Sequence, residues 1–166
     1  MAWNCSGIRC LFVASLIYNL LTGGAFMLTQ AQADKLIEMA KESASAHVFE
    51  WYENQQQEET FVAVEFEKIR FVLSLKRNPF EVRLHLRLQE RNIGLARIDA
   101  AKYHPNPDGT ELRNVPHIHW FREGYHNLEW AEAIDWYDAT NPVGTLYRFL
   151  DEIHARFKNG IQPMMV

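Results

Sequence analysis

Residues 81–89 read Glu-Val-Arg-Leu-His-Leu-Arg-Leu-Gln, and this strict alternation decides the fold class. Successive side chains of a strand point to opposite faces, so Val82, Leu84, Leu86 and Leu88 predict a buried face. Arg83, His85, Arg87 and Gln89 then predict a face turned away from the core. Working outward, residues 61–66, 69–76 and 93–100 carry the same two-residue period. Arg77-Asn78-Pro79 and Arg91-Asn92 supply turn chemistry between them. Successive strands joined by short turns make an antiparallel sheet. A further strand is expected at 117–121.

The period changes to helical at both ends. Thr29 with Gln32 three residues later forms a capping-box pattern. Leu36, Ile37, Met39, Ala40 and Ala44 then predict an amphipathic helix over about residues 30–49. Residues 54–59 (NQQQEE) carry no apolar period and read as a polar connector. Asn141 and Pro142 occupy the favoured N-cap and first-turn positions of a last helix. Leu146, Phe149, Leu150, Ile153 and Phe157 would line its apolar face, with Gly160 ending it. The expected class is α+β: four to five antiparallel strands, with an N-terminal and a C-terminal helix on one face.

The 166 residues, 48% of them hydrophobic, suffice for one core and one domain, placed at 27–166. Both cysteines, Cys5 and Cys10, lie in the first ten residues, so the body holds no disulfide framework and no cysteine zinc site. It also lacks a glycine-rich phosphate loop and a Gly-x-Ser-x-Gly elbow. Residues 1–26 stand apart. Their apolar run, 11–21, is too short for a spanning helix of about 20 residues. Three readings apply: a start misassigned upstream of Met27, a signal or anchor segment, or a genuine part of the fold. Met27 is the favoured start, because Gly23-Gly24 can be encoded as a ribosome-binding sequence just before it. The net charge is −4, but it is unevenly placed. Residues 68–97 hold eight Lys/Arg against two Glu, whereas residues 123–152 hold seven Asp/Glu against Arg148 alone. Such asymmetry suits an anionic partner on one face.

Three of the seven histidines fall in residues 103–125, YHPNPDGTELRNVPHIHWFREGY. Asn106-Pro107-Asp108-Gly109 reads as a tight turn. Beyond it, His117 and His119 share one strand face, and His104 stands on the near side of the turn. If the register lays these imidazoles on the face of Arg83, His85 and Arg87, the patch suits a phosphodiester. His117 and His119 would serve as base and acid, His104 would assist, and Arg83, His85, Arg87 and Arg122 would hold phosphate. The alternative is a divalent metal held by His117, His119, His104 and Glu123. Asp135 and Asp138, either side of Trp136 and Tyr137, read as a solvated acidic edge.

The pattern His104-x-Asn106-Pro107-Asp108-Gly109, then Pro116-His117-Ile118-His119-x-x-Arg122-Glu123-Gly124-Tyr125, resembles an uncharacterised family of short bacterial and prophage proteins. The resemblance covers most of residues 27–160, and members of that family begin near the position of Met27. More remotely, the His, turn and Pro-His-x-His order is similar to TumE-like toxins of toxin–antitoxin pairs, whose chains are shorter and lack the acidic segment 129–138. The resemblance implies a small cytosolic toxin-like protein encoded beside an antitoxin. The functional expectation is therefore a toxin-like or mobile-element protein acting on RNA, a ribonuclease-like phosphodiesterase if it is an enzyme. The alternative is a non-catalytic phage or prophage module that recognises a host protein or nucleic acid. No membrane partner is expected for the mature domain.

Overall fold

A computed structural model describes residues 27–164, so the expectations for residues 1–26 lie outside the described residues. The chain runs α1 (Gln30–Glu38), β1 (Lys41–Ser43), β2 (Phe49–Tyr52), β3 (Gln56–Ala63), β4 (Arg70–Asn78), β5 (Glu81–Leu88) and β6 (Ile93–Asp99). It continues through β7 (Tyr103–Pro105), β8 (Glu111–Arg113), β9 (His117–Trp120), β10 (Trp130–Ala133), α2 (Pro142–Glu152), β11 (Ala155–Arg156) and β12 (Ile161–Met164). The class is mixed α and β, mostly sheet with two helices.

The alternation at 81–89 becomes β5, near the middle of an eight-stranded sheet ordered β10-β9-β6-β5-β4-β3-β1-β11. That is more than the four to five strands expected. The sheet is also not wholly antiparallel, because β1 pairs in parallel with β11. The extra strands are two to four residues long, too short for a two-residue period to show. The polar segment 54–59 is a second correction: Gln56 already pairs with Lys76 as β3 begins. Val82, Leu84, Leu86 and Leu88 are fully buried and join one core with Leu36 of α1 and Leu146, Phe149 and Leu150 of α2. Burying side chains of this size contributes about 1.5–3 kcal/mol each.

The Thr29–Gln32 capping box forms as read, but α1 ends at Glu38, well short of residue 49. Its terminator is Lys41. The side chain is 1% exposed, and its ammonium donates to Ile37 O at 2.8 Å, Met39 O at 2.7 Å and Ile153 O at 2.8 Å. One cation thus satisfies carbonyls left over at the ends of both helices. Lys41→Met leaves three buried carbonyls without donors and is expected to destabilise the fold by about 3 kcal/mol, read by urea denaturation. The last helix likewise stops at Glu152, because Ala155 pairs beside Lys41 in β11. Gly160, expected as its end, instead turns the chain into β12 with φ +84°.

Candidate functional site

The pairing register brings the polar face together. His85 of β5 lies opposite Arg97 of β6, Arg97 lies opposite His119 of β9, and Asp99 lies opposite His117. Directly opposed residues share a face, so His85, Arg97 and His119 form a row across three strands. Arg83 and Arg87 flank the row on β5, while Ile98 and Ile118 between them turn to the core. Leu95 is the extra residue of a bulge opposite Leu86 and Arg87. Beside it, Gly94 lets His85 and Leu128 close in: a Cβ there would meet His85 Nε2 at 3.0 Å and Leu128 Cδ1 at 3.1 Å.

This face floors an open groove of about 1020 Å³. Lys76, Arg83, Arg87, Arg97 and Arg122 line it against three carboxylates, Glu58, Glu81 and Asp99. The local excess of cations stands out against the chain's overall −4. Each carboxylate also fixes a guanidinium. Arg87 pairs with Glu58 and donates to Ser74 Oγ at 2.8 Å and Asn92 Oδ1 at 2.7 Å. Arg83 pairs with Glu81 at 2.7 Å, and Arg97 with Asp99 at 3.4 Å. Arg122 lies over the Trp130 ring at 4.0 Å, and Tyr125 meets the same ring edge-on at 5.6 Å. The groove therefore presents pre-oriented cations and aromatic surface together.

Behind Asp99 sit three imidazoles. The rings of His104, His117 and His119 are 4.6–5.3 Å apart, centre to centre. Each uses one nitrogen on a backbone carbonyl: His117 Nδ1 on Val115 O at 3.0 Å, His119 Nδ1 on Leu128 O at 2.8 Å, and His104 Nε2 on Glu129 O at 2.8 Å. Those carbonyls can only accept, so each of these nitrogens carries a proton. Asn127 and Leu128 both have left-handed φ, 54° and 56°. That conformation is unusual for leucine, and the Leu128 carbonyl of this turn is the acceptor for His119. The other nitrogens of His117 and His119 face Asp99. His117 Nε2 is 3.0 Å from Oδ1, and His119 Nε2 is 3.4 Å from Oδ2 and 3.3 Å from Arg97 Nη2.

His104 arrives on the β7–β8 hairpin, whose turn follows the sequence reading. Asp108 Oδ1 accepts from Thr110 N at 2.9 Å, and Gly109 has φ +86°. Asn106 does more than turn the chain. Its buried side-chain amide donates to Ala131 O at 3.0 Å and accepts from Ala131 N at 2.9 Å, imitating a strand pairing with β10. Asn106→Ala is expected to destabilise the protein by about 2–3 kcal/mol, since both Ala131 groups lose their partner. Hydrogen exchange should speed up in the hairpin well before the rest of the sheet opens.

Burial pulls His119 below the usual imidazole range, against the opposing pull of Asp99. Burial, with Arg87 and Arg97 nearby, also lowers His85, to about 4. Burial works the other way on Asp99. There it is outweighed by the pairing with His119, the Ala101 N–H and the neighbouring imidazoles, which hold the carboxyl well below the ordinary carboxylate range. All three shifts act in one direction on stability. The folded protein binds fewer protons than the unfolded chain, so stability falls as the medium is acidified. For His85 the window runs from its ordinary 6.5 down to about 4. Lowering the pH across it is expected to lose about 2 kcal/mol, after allowance for partial solvation. His85→Gln should flatten that limb in urea titrations.

The expected residues thus divide. His104, His117 and His119 converge on one centre, and Arg83, His85, Arg87 and Arg122 line the adjoining groove. Glu123 is elsewhere: its carboxylate accepts from Gln30 N at 2.9 Å and fastens the start of α1. His117 and His119 are 0% and 1% exposed, so neither opens directly onto the groove. Asp99, with 20% of its side chain exposed, is the centre's contact with it. Asp99 and Arg97 were not among the expected site residues, although their i, i+2 spacing around Ile98 puts them on the polar face of β6. Asp138 accepts from Thr140 N at 2.8 Å and caps an exposed turn, in keeping with a solvated edge. Among the described residues no helix is long and apolar enough to cross a membrane. A family model described as a family of unknown function (DUF6978) matches residues 28–155. No curated protein and no solved structure matches the chain.

Proposed function

The chain belongs to that family of unknown function, DUF6978, and on this footing we propose that it is an RNA-directed protein of toxin-like or mobile-element type. Single-stranded RNA lies in the groove, its phosphates on Arg83, Arg87 and Arg122 and its bases against Tyr125. The observation that carries the reading is the groove floor, where His85, Arg97 and the Asp99 carboxylate stand beside one another on an open face with His119 buried behind them. That combination binds a phosphodiester and offers groups that move protons or charge near it. His117 and His119 act through Asp99, since Asp99 is the member that reaches the groove. Its held-down carboxyl is a fixed anion, and its role is to orient imidazole and hold positive charge.

In this reading the protein works in the cytosol beside an antitoxin that restrains it. Overexpression is expected to slow growth, and Asp99→Asn to restore it without loss of protein. Asp99→Asn is the informative variant because it keeps the side chain's shape at a position in contact with the groove. Equal toxicity of wild type and Asp99→Asn would overturn the reading.

One observation favours a second reading, a non-catalytic module that recognises a nucleic acid or host protein. The imidazoles are tied to backbone carbonyls and two are buried, as structural histidines are. In that case Asp99→Asn lowers the melting temperature and leaves RNA affinity and growth unchanged.

A further inference from the structure

We infer that His104, His117 and His119 form a binding site for one divalent transition-metal cation, zinc in the first instance, with Asp99 beside it. The inference gives the proposed centre its cofactor. Its bearing on RNA rests on that reading, while the site itself stands on geometry.

The first observation concerns protons. With Nδ1 of His117 and His119 donating to Val115 O and Leu128 O, their Nε2 atoms present lone pairs. His104, donating through Nε2 to Glu129 O, presents Nδ1. One ring nitrogen from each of these three histidines lies within 4.8 Å of the other two. His117 Nε2 is buried, has no hydrogen-bond partner and faces Asp99 Oδ1 at 3.0 Å. Arg97 Nη2 stands 3.3 Å from His119 Nε2, whereas the buried His117 Nε2 has no donor against it.

The second observation is the support behind the ligands. Histidines that hold a metal commonly give their other nitrogen to a carbonyl or carboxylate, which fixes tautomer and ring orientation. All three histidines do so here, on three different carbonyls. Bonds of about 2.0–2.1 Å in a tetrahedron put ligand atoms about 3.3 Å apart, so the three nitrogens, within 4.8 Å of one another, would close in around an ion. Three neutral nitrogens with a carboxylate beside them are a borderline-soft set suited to zinc or cobalt rather than magnesium or calcium. The competing arrangement is a buried imidazolium in place of the metal, with a proton between His117 and Asp99. It leaves the His104 lone pair unexplained, while that of His119 meets Arg97 Nη2 at 3.3 Å.

The placement has a consequence. Asp99 stands beside the histidines and lines the groove, so a cation held there would sit at the edge of the phosphate path and could polarise a phosphoryl oxygen. His104 rides on the hairpin that Asn106 pins to β10, which makes the hairpin the way into the centre.

The test uses the full chain, stripped with a chelator and titrated with Zn²⁺ or Co²⁺. One equivalent should bind, the melting temperature should rise, and Co²⁺ should show the visible bands of tetrahedral coordination. His104→Ala, on the least buried ligand, should weaken Zn²⁺ binding by at least about 100-fold, and Asp99→Asn supplies an independent second variant. Uptake of less than one equivalent by the stripped chain, or unchanged Zn²⁺ affinity in both variants, overturns the site. Groove binding is scored separately with labelled single-stranded RNA. A stripped chain that holds RNA but takes up no metal overturns the metal site and leaves the groove standing. Metal uptake without RNA binding supports the site and overturns the groove.

Discussion

Reversing the charge of Arg83 and Arg87 to Glu should reduce affinity for single-stranded RNA by at least about 100-fold at low salt. Each guanidinium removed deletes a phosphate contact, and each carboxylate added opposes one. Arg87→Glu also stands a second acid beside Glu58, with which Arg87 now pairs, so the groove floor changes sign locally. The salt dependence carries a second signature. Two lost contacts should reduce the slope of log affinity against log salt by about 1.4. The fold should tolerate the change at Arg83, whose side chain is 60% exposed and whose pair with Glu81 is a surface one, whereas Arg87 is 20% exposed, so a thermal melt of the double variant accompanies the binding assay. Unchanged affinity in the double variant, measured by fluorescence polarisation, would remove the groove from the account.

The second large effect is on stability. His117→Ala combined with His119→Ala should destabilise the protein by about 4 kcal/mol. The double change empties buried volume beneath β7–β8, leaves the carbonyls of Val115 and Leu128 without donors, and leaves Asp99 with only Arg97 and the Ala101 N–H. Growth assays with this variant therefore confound loss of action with loss of protein, which is why Asp99→Asn replaces it. A double variant that melts within a degree or two of wild type would show that the imidazoles are not integral to this end of the sheet.

How far the residues announced this arrangement follows from the range of the forces involved. The alternation at 81–89 was legible because each leucine answers to its own position, and the Thr29 and Asn141 caps because they bond within one turn. The turn around Gly109 was legible for the same reason. The length of α1 was not: Lys41 ends it by reaching Ile153, more than a hundred residues on, and no local period encodes that contact. The outer strands were invisible because two to four residues are too few to show alternation. The site divides in the same way. Two histidines at i, i+2 had to share a face, but whether that face also held Arg97 and Asp99 depended on pairing between β6 and β9. The bulge at Leu95 lies just ahead of that pairing. Asn106 illustrates the same limit. Its turn chemistry was readable, and its second task as an anchor for Ala131 belongs to a strand 25 residues away.

The most direct measurement is the fate of an end-labelled single-stranded RNA at protein concentrations that saturate binding, with wild type and Asp99→Asn compared side by side. The account predicts that both bind and that wild type cleaves, with Asp99→Asn at least about 100-fold slower. Intact RNA after prolonged incubation with wild type, or equal cleavage by both proteins, would contradict it.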